Sequence, residues 1–218
     1  MTSISYPTEK IQAVMHNIKR FSINPSLFQE SNAEHSFIVS FLIIEAFTKF
    51  PDFAECLDLG VLLTRATLHD LAECITSDIP SVAKRVVNEE DFSVFSDIEL
   101  KSIDTLCEGR PELFKSMLSY AIKFDDVTNL EQAFFKTFDF LSVAYKVLNE
   151  LYLGNSYYVE VAKEITSVIL KLKQRIKEVI DKEDASFQKE GFELLYNYYD
   201  KVVTPLLTKL NTWSLKNE

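Results

Sequence analysis

Glycine and proline are scarce, four and six residues in a chain of 218. Folds built from many short strands draw on both at every reversal, so the shortage points away from sheets and toward helices. Cys56, Cys74 and Cys107 are odd in number and have no close paired spacing. They supply neither a disulfide framework nor a zinc knuckle. No apolar run approaches the roughly 20 residues that span a bilayer, and no basic segment leads into an apolar core at the N-terminus. The expectation is a cytoplasmic protein with no membrane partner. Positive charge is also short: 23 Lys and Arg against 33 Asp and Glu leave a formal charge of −10. Such a chain repels phosphate backbones at long range, so polymeric nucleic acid is not an expected partner. A small anion remains admissible where a cation and one or two basic side chains dominate the field inside a cleft.

What is there is apolar and helix-forming. With 47% of residues hydrophobic the chain can bury a substantial core. No repeat, low-complexity segment or Gly/Ser/Pro-rich linker divides it, so residues 1–218 read as one all-α domain. Ile11, Val14, Met15 and Ile18 recur at helical spacing and predict a helix over about residues 8–19, followed by a polar loop over 20–30 that contains Pro25. Phe37, Phe41, Ile44 and Phe47 predict a second helix, capped by Ser31 or Asn32 and stopped by Pro51. A third, on Val61, Leu62, Leu68 and Leu71, is expected from about Leu57 to Cys74. Further helices are expected over about 91–107, 112–123 and 130–153, the last ended by Gly154-Asn155. Two more amphipathic helices follow, over about 157–182 and 187–210, with Pro205 kinking or ending the final one.

The chemistry concentrates on few residues. Two of the three histidines, His35 and His69, lie on these apolar helices, and Asp70 follows His69 directly. Alone, a histidine near a helix C-terminus is simply at home at the negative pole of the dipole. Here Glu73 stands four residues after His69 and three after Asp70, one helical turn away, and Asp78 follows in the loop. Imidazoles with carboxylates suit a hard or borderline divalent ion.

Residues Ala66-Thr67-Leu68-His69-Asp70-Leu71-Ala72-Glu73 and Thr76-Ser77-Asp78-Ile79-Pro80-Ser81-Val82-Ala83-Lys84 resemble the signature of bacterial 5′-deoxynucleotidases, within the HD-domain phosphohydrolase superfamily. Asn32-Ala33-Glu34-His35-Ser36 is similar to that family's first histidine motif, and Lys136-Thr137-Phe138-Asp139 to its final aspartate motif. The resemblance implies an HD-type helical bundle and a homodimer. It implies four ligands of one divalent ion, His35, His69, Asp70 and Asp139, the ion being cobalt, manganese, magnesium, nickel, iron or zinc. It gives Glu73 and Asp78 joint acid–base work, without saying which acid handles the nucleophile and which the departing 5′ oxygen. Arg20 aligns with an arginine that holds the substrate phosphate, a role that suits a bidentate guanidinium in an acidic protein. Phe21 stands where the bacterial family carries a tryptophan that helps reject a ribose 2′-hydroxyl, which leaves the sugar preference open. Lys84, and with less claim Arg65, offers further charge to the phosphate. The implied reaction is hydrolysis of (deoxy)nucleoside 5′-monophosphates to nucleoside and phosphate. The alternatives are hydrolysis of a nucleoside triphosphate or signalling nucleotide, and a non-catalytic nucleotide-binding regulatory module.

Overall fold

The computed structural model describes residues 6–79, 89–122, 129–182 and 187–217. Among them every regular element is helical: α1 (Thr8–Asn17), α2 (Asn32–Lys49), α3 (Phe53–Cys56), α4 (Leu59–Leu68), α5 (Glu73–Thr76), α6 (Glu89–Cys107), α7 (Glu112–Ile122), α8 (Leu130–Tyr152), α9 (Val159–Lys182), α10 (Phe187–Tyr198) and α11 (Thr204–Asn217). A 3₁₀ turn, Ser156–Tyr158, leads into α9, and a widened π turn, Tyr199–Val203, joins α10 to α11. None of these helices is long and apolar enough to cross a membrane.

The all-α expectation holds, and the ends it located by local chemistry fall close to the expected residues. Gly154 adopts φ 83° after α8. Its amide donates to the Leu151 carbonyl and that of Asn155 to the Glu150 carbonyl, each at 3.0 Å. This satisfies carbonyls at the end of the helix, with a glycine where the left-handed conformation is needed. Pro205 falls in the first turn of α11, directly after the π turn. The proline thus marks a distortion between two helices.

The chain forms two compact units, each assembled from three stretches: residues 1–23, 29–37 and 64–124 in the first, and 24–28, 38–63 and 125–218 in the second. In the first unit, Met15 of α1 meets Leu71, Cys74, Ile103, Leu106, Cys107 and Leu118 in one buried cluster. In the second, Phe53 and Phe134 meet edge to face at 4.9 Å between ring centroids, and Phe138 continues the stack toward Tyr198. Such offset and edge-on pairs are the favourable aromatic geometries. Gly191 of α10 lets that helix close on α8, since a Cβ there would stand 2.1 Å from Cδ2 of Leu130.

The second unit also buries an acid. Glu150 is fully enclosed. It accepts hydrogen bonds from the amides of Leu27 and Phe28 at 3.0 Å each, from Nδ2 of Asn155 at 2.7 Å and from Nζ of Lys146 at 2.5 Å. Lys146 also donates to the Phe28 carbonyl. Burial pushes the Glu150 carboxyl up, but hydrogen bonds from Lys146, Asn155 and the two amides outweigh it and hold the group at about 2, against an ordinary 4.5. A carboxyl depressed in the folded state stabilises fully above its unfolded value, and that contribution is lost as pH falls from about 4.5 toward 2. Glu150→Gln is therefore expected to lower stability at neutral pH by roughly 3–5 kcal/mol, because Lys146 stays buried without its counter-charge. The same variant should lack much of the acid-limb decline of the parent. Urea midpoints followed from neutral pH down to pH 2 measure both effects.

Candidate active site

The site begins where the chain leaves α1. Lys19 and Ser31 form an antiparallel bridge, flanked by the Arg20 amide donating to the Glu30 carbonyl at 2.9 Å and the Asn32 amide donating to the Ile18 carbonyl at 3.2 Å. Arg20 is thereby pinned opposite Glu30. Ser31 then starts α2 through a reciprocal cap: its Oγ and its amide both donate to Oε2 of Glu34, at 2.8 and 2.7 Å, and the Glu34 amide reaches back to Oγ at 3.3 Å. This Ser-x-x-Glu box satisfies donors that a helix start would leave unpaired. It makes Ser31 rather than Asn32 the cap and sets His35, fully buried, in the first turn of α2.

The second half of the site departs from the expected continuous helix over residues 57–74. α4 stops at Leu68, and His69–Ala72 form a tight turn before α5. The His69 amide still bonds to the Arg65 carbonyl four residues back. The amides of Leu71, Glu73 and Cys74 instead reach the carbonyls of Leu68, Asp70 and Leu71, three residues back. The helix has wound into its tighter three-residue form, a short distortion common at functional sites.

These two pieces meet on one oxygen. Oδ2 of Asp70 lies 3.3 Å from Nε2 of His69, 3.8 Å from Nε2 of His35, and accepts a hydrogen bond from Nη1 of Arg20 at 2.6 Å. The imidazole centroids are 5.3 Å apart. His69 donates its Nδ1–H to the Ala66 carbonyl at 3.0 Å, which leaves its Nε2 facing the cluster. A divalent ion bonded at about 2.0–2.2 Å to nitrogen and oxygen needs its donors roughly 3–3.5 Å apart. His35, His69 and Asp70 fit such an ion in donor chemistry; their donor atoms gather within 4.8 Å of one another, the His69–Asp70 pair already at that spacing and His35 needing to draw closer.

Electrostatics separates two acids in the same cluster. Burial alone would raise the Asp70 carboxyl, but His69 and Arg20, with His35 behind them, hold it well below the usual carboxylate range. Glu73 is pushed the other way, to about 8, chiefly by burial and then by the charges of Asp70 and Asp78, against the opposing pull of Arg20 and a hydrogen bond from Nδ2 of Asn32.

Of the residues expected from sequence, Arg20, His35, His69, Asp70 and Glu73 come together in the first unit, and Asp78 stands near enough for its charge to act on Glu73. Phe21, beside Arg20, has φ 56°, a left-handed backbone uncommon for a bulky side chain. Asp139 lies on α8 in the second unit, mostly buried, with Nζ of Lys136 3.9 Å from its carboxylate. Lys84 is outside the described residues. Arg65 is fully buried, with Nη2 donating to the Tyr120 carbonyl at 3.3 Å and its guanidinium 4.8 Å from that ring. Glu30 and Asn32 escaped the sequence reading. Glu30 directly precedes the cap box and Asn32 lies within it, the one signal that could have drawn notice to them.

Two solved structures with this fold are HD-domain phosphohydrolases. One from Listeria innocua matches with a TM-score of 0.64 at 18% identity, covering 96% of this chain and 97% of that one. A cyanophage S-2L HD phosphohydrolase, solved with dA and one catalytic Zn2+ ion, matches at 0.56 and 16%, covering 91% and 99%. At these identities the likeness is one of fold. Family membership comes from the sequence itself: residues 10–182 match the YfbR-like 5′-deoxynucleotidase family, to which this chain belongs. Two 5′-deoxynucleotidases, from Vibrio atlanticus and Vibrio cholerae, are 26% and 27% identical over 158 and 154 residues, which is 72% and 70% of this chain and 81% and 79% of theirs. The chain is a phosphohydrolase of nucleoside 5′-monophosphates.

The raised Glu73 has a thermodynamic signature in metal-free protein. A carboxyl held above its unfolded value binds its proton more tightly when folded, so its stabilisation is complete below pH about 4.5 and is lost as pH rises through about 8. Glu73→Gln, neutral at every pH, is expected to flatten the decline in denaturant midpoint across that window. An unchanged slope would contradict the assignment.

Proposed function

We propose that the chain hydrolyses (deoxy)nucleoside 5′-monophosphates with one divalent ion held by His35, His69, Asp70 and Asp139, and with Arg20 gripping the phosphate. The observation that carries this reading is the convergence of both imidazole Nε2 atoms and Arg20 on one oxygen of Asp70. Asp139 enters as fourth ligand through its family motif, and its mostly buried carboxylate suits that role. When bound, the ion supplies Lewis-acid polarisation of the phosphoryl oxygens and makes water a better nucleophile at neutral pH.

The chain's own groups do the rest. The Arg20 guanidinium pairs with two phosphate oxygens and fixes phosphorus beside the ligand cluster, with Lys84 adding charge and Phe21 walling the sugar. Glu73 and Asp78 share the movement of protons, to the departing 5′ oxygen and from the attacking water. The whole of residues 1–218 acts as one HD-type domain, in keeping with two units that each take three separate stretches of chain. Residency in the cytoplasm accords with three unpaired thiols, the state a reducing compartment maintains. The chain works as a homodimer, for which Phe37, Phe41 and Ile44 of α2, 65%, 53% and 46% exposed, provide an apolar stripe at helical spacing.

A phosphate-release assay with deoxy- and ribonucleotides, in cobalt, manganese, magnesium, nickel, iron and zinc, tests the chemistry. Deoxynucleoside 5′-monophosphates should yield nucleoside and phosphate. Asp70→Ala should lose bound ion and activity together, while Glu73→Ala should keep the ion and lose turnover by roughly 10²–10⁴. Release of pyrophosphate or triphosphate, or binding without turnover in every metal, would overturn the reading. Light scattering tests the assembly: Phe41→Asp should halve the mass measured for the parent, and a monomeric parent would refute the dimer.

A further inference from the structure

The two candidate imidazole ligands must each direct Nε2 at the ion, and in His69 the means is visible: the Ala66 carbonyl can only accept, so the ring proton sits on Nδ1. In His35, the group facing Nδ1 is the carboxylate of Glu30, with Oε1 at 3.6 Å, while Nε2 looks toward Asp70. The same Oε1 lies 3.7 Å from Nε of Arg20. It is closed off from solvent and has no hydrogen-bond partner at normal distance. A buried carboxylate oxygen left in that state is costly, and the two nitrogens that stand just beyond hydrogen-bond reach of it belong to a candidate metal ligand and the phosphate clamp. Glu30 is itself held in place: its carbonyl accepts the Arg20 amide at 2.9 Å, and the capping Ser31 follows directly.

We propose that Glu30 is a positioning residue shared by the metal site and the phosphate clamp. Its carboxylate accepts the Nδ1–H of His35, which fixes the tautomer that presents Nε2 and raises the basicity of that nitrogen. It also accepts from Nε of Arg20, so that the Nη groups turn toward Asp70 and the substrate. An approach of less than about 1 Å brings both contacts to charge-assisted hydrogen-bond length. The assignment rests on the reading of His35 as a ligand and Arg20 as the clamp.

The test uses the full chain as wild type, Glu30→Gln and Glu30→Ala, with Co2+ as probe ion in calorimetry and imidazole 15N NMR as a readout that needs no ion. Wild-type His35 should carry its proton on Nδ1 in the neutral ring. Glu30→Ala should bind Co2+ ~10–100-fold more weakly with an unchanged circular dichroism spectrum, and its His35 should shift toward the other tautomer. Glu30→Gln, whose amide oxygen still accepts, should fall between. At saturating Co2+, KM for a nucleoside 5′-monophosphate should rise more than kcat falls. Wild-type His35 protonated on Nε2 would overturn the proposal whether or not either variant folds. A folded Glu30→Ala with wild-type affinity and tautomer would overturn the His35 half, and an unchanged KM the Arg20 half. Failure of wild type to bind any divalent ion would instead sink the metal-site reading itself, while the tautomer measurement would still decide the role of Glu30.

Discussion

Asp70 keeps a negative charge where little water reaches it, in a chain whose formal charge is already −10. A carboxylate in such a place takes up a proton unless positive charge and hydrogen-bond donors gather around it. Here they come from three points of the chain: Arg20 after α1, His35 in the first turn of α2, and His69 beside it. Each needs its own local device to arrive there, the bridge between Lys19 and Ser31, the cap box of Ser31 and Glu34, and the tightened turn after Leu68. Compensation of one charge thus explains why three short irregularities interrupt an otherwise regular helical fold.

Two buried glutamates show how far the same side chain can be driven apart. Glu150 receives two backbone amides, an asparagine amide and an ammonium, enough to replace the water it gave up. Glu73 receives a hydrogen bond from Asn32 and sits near two further acids. Burial raises both carboxyls; in Glu150 the surrounding donors outweigh it and hold the group near 2, whereas in Glu73 it prevails, reinforced by the charges of Asp70 and Asp78, and the group stands near 8.

Sequence reading succeeded where the signal is local. Ser31 with Glu34, Pro51 and Gly154 each punctuate a helix by chemistry confined to a few residues, and the His-Asp pair declared itself through acids a turn away. It failed where the cause is distant. Nothing between Leu68 and Glu73 is a glycine or proline, so the broken helix there carries no mark in the sequence. Asn32 reads as a cap candidate because its partner Glu73 is 41 positions on. Glu30 reads as a loop acid, and Arg65 as a spare charge, until the fold encloses them. The widened turn at Tyr199–Val203 was half legible, since Pro205 announces trouble for the hydrogen-bond ladder without saying how the backbone absorbs it.

The segment order of the two units bears on how the molecule is made. Synthesis delivers the chain from its N-terminus, and domains tend to fold as they emerge. The first unit, with Arg20, His35, His69, Asp70 and Glu73, has all its stretches once residue 124 has been added. The second is left with residues 24–28 and 38–63 waiting for the remainder of the chain, and Asp139 arrives only with that remainder. On a ribosome, the histidine–aspartate cluster can therefore assemble before Asp139, its proposed fourth ligand, has been translated.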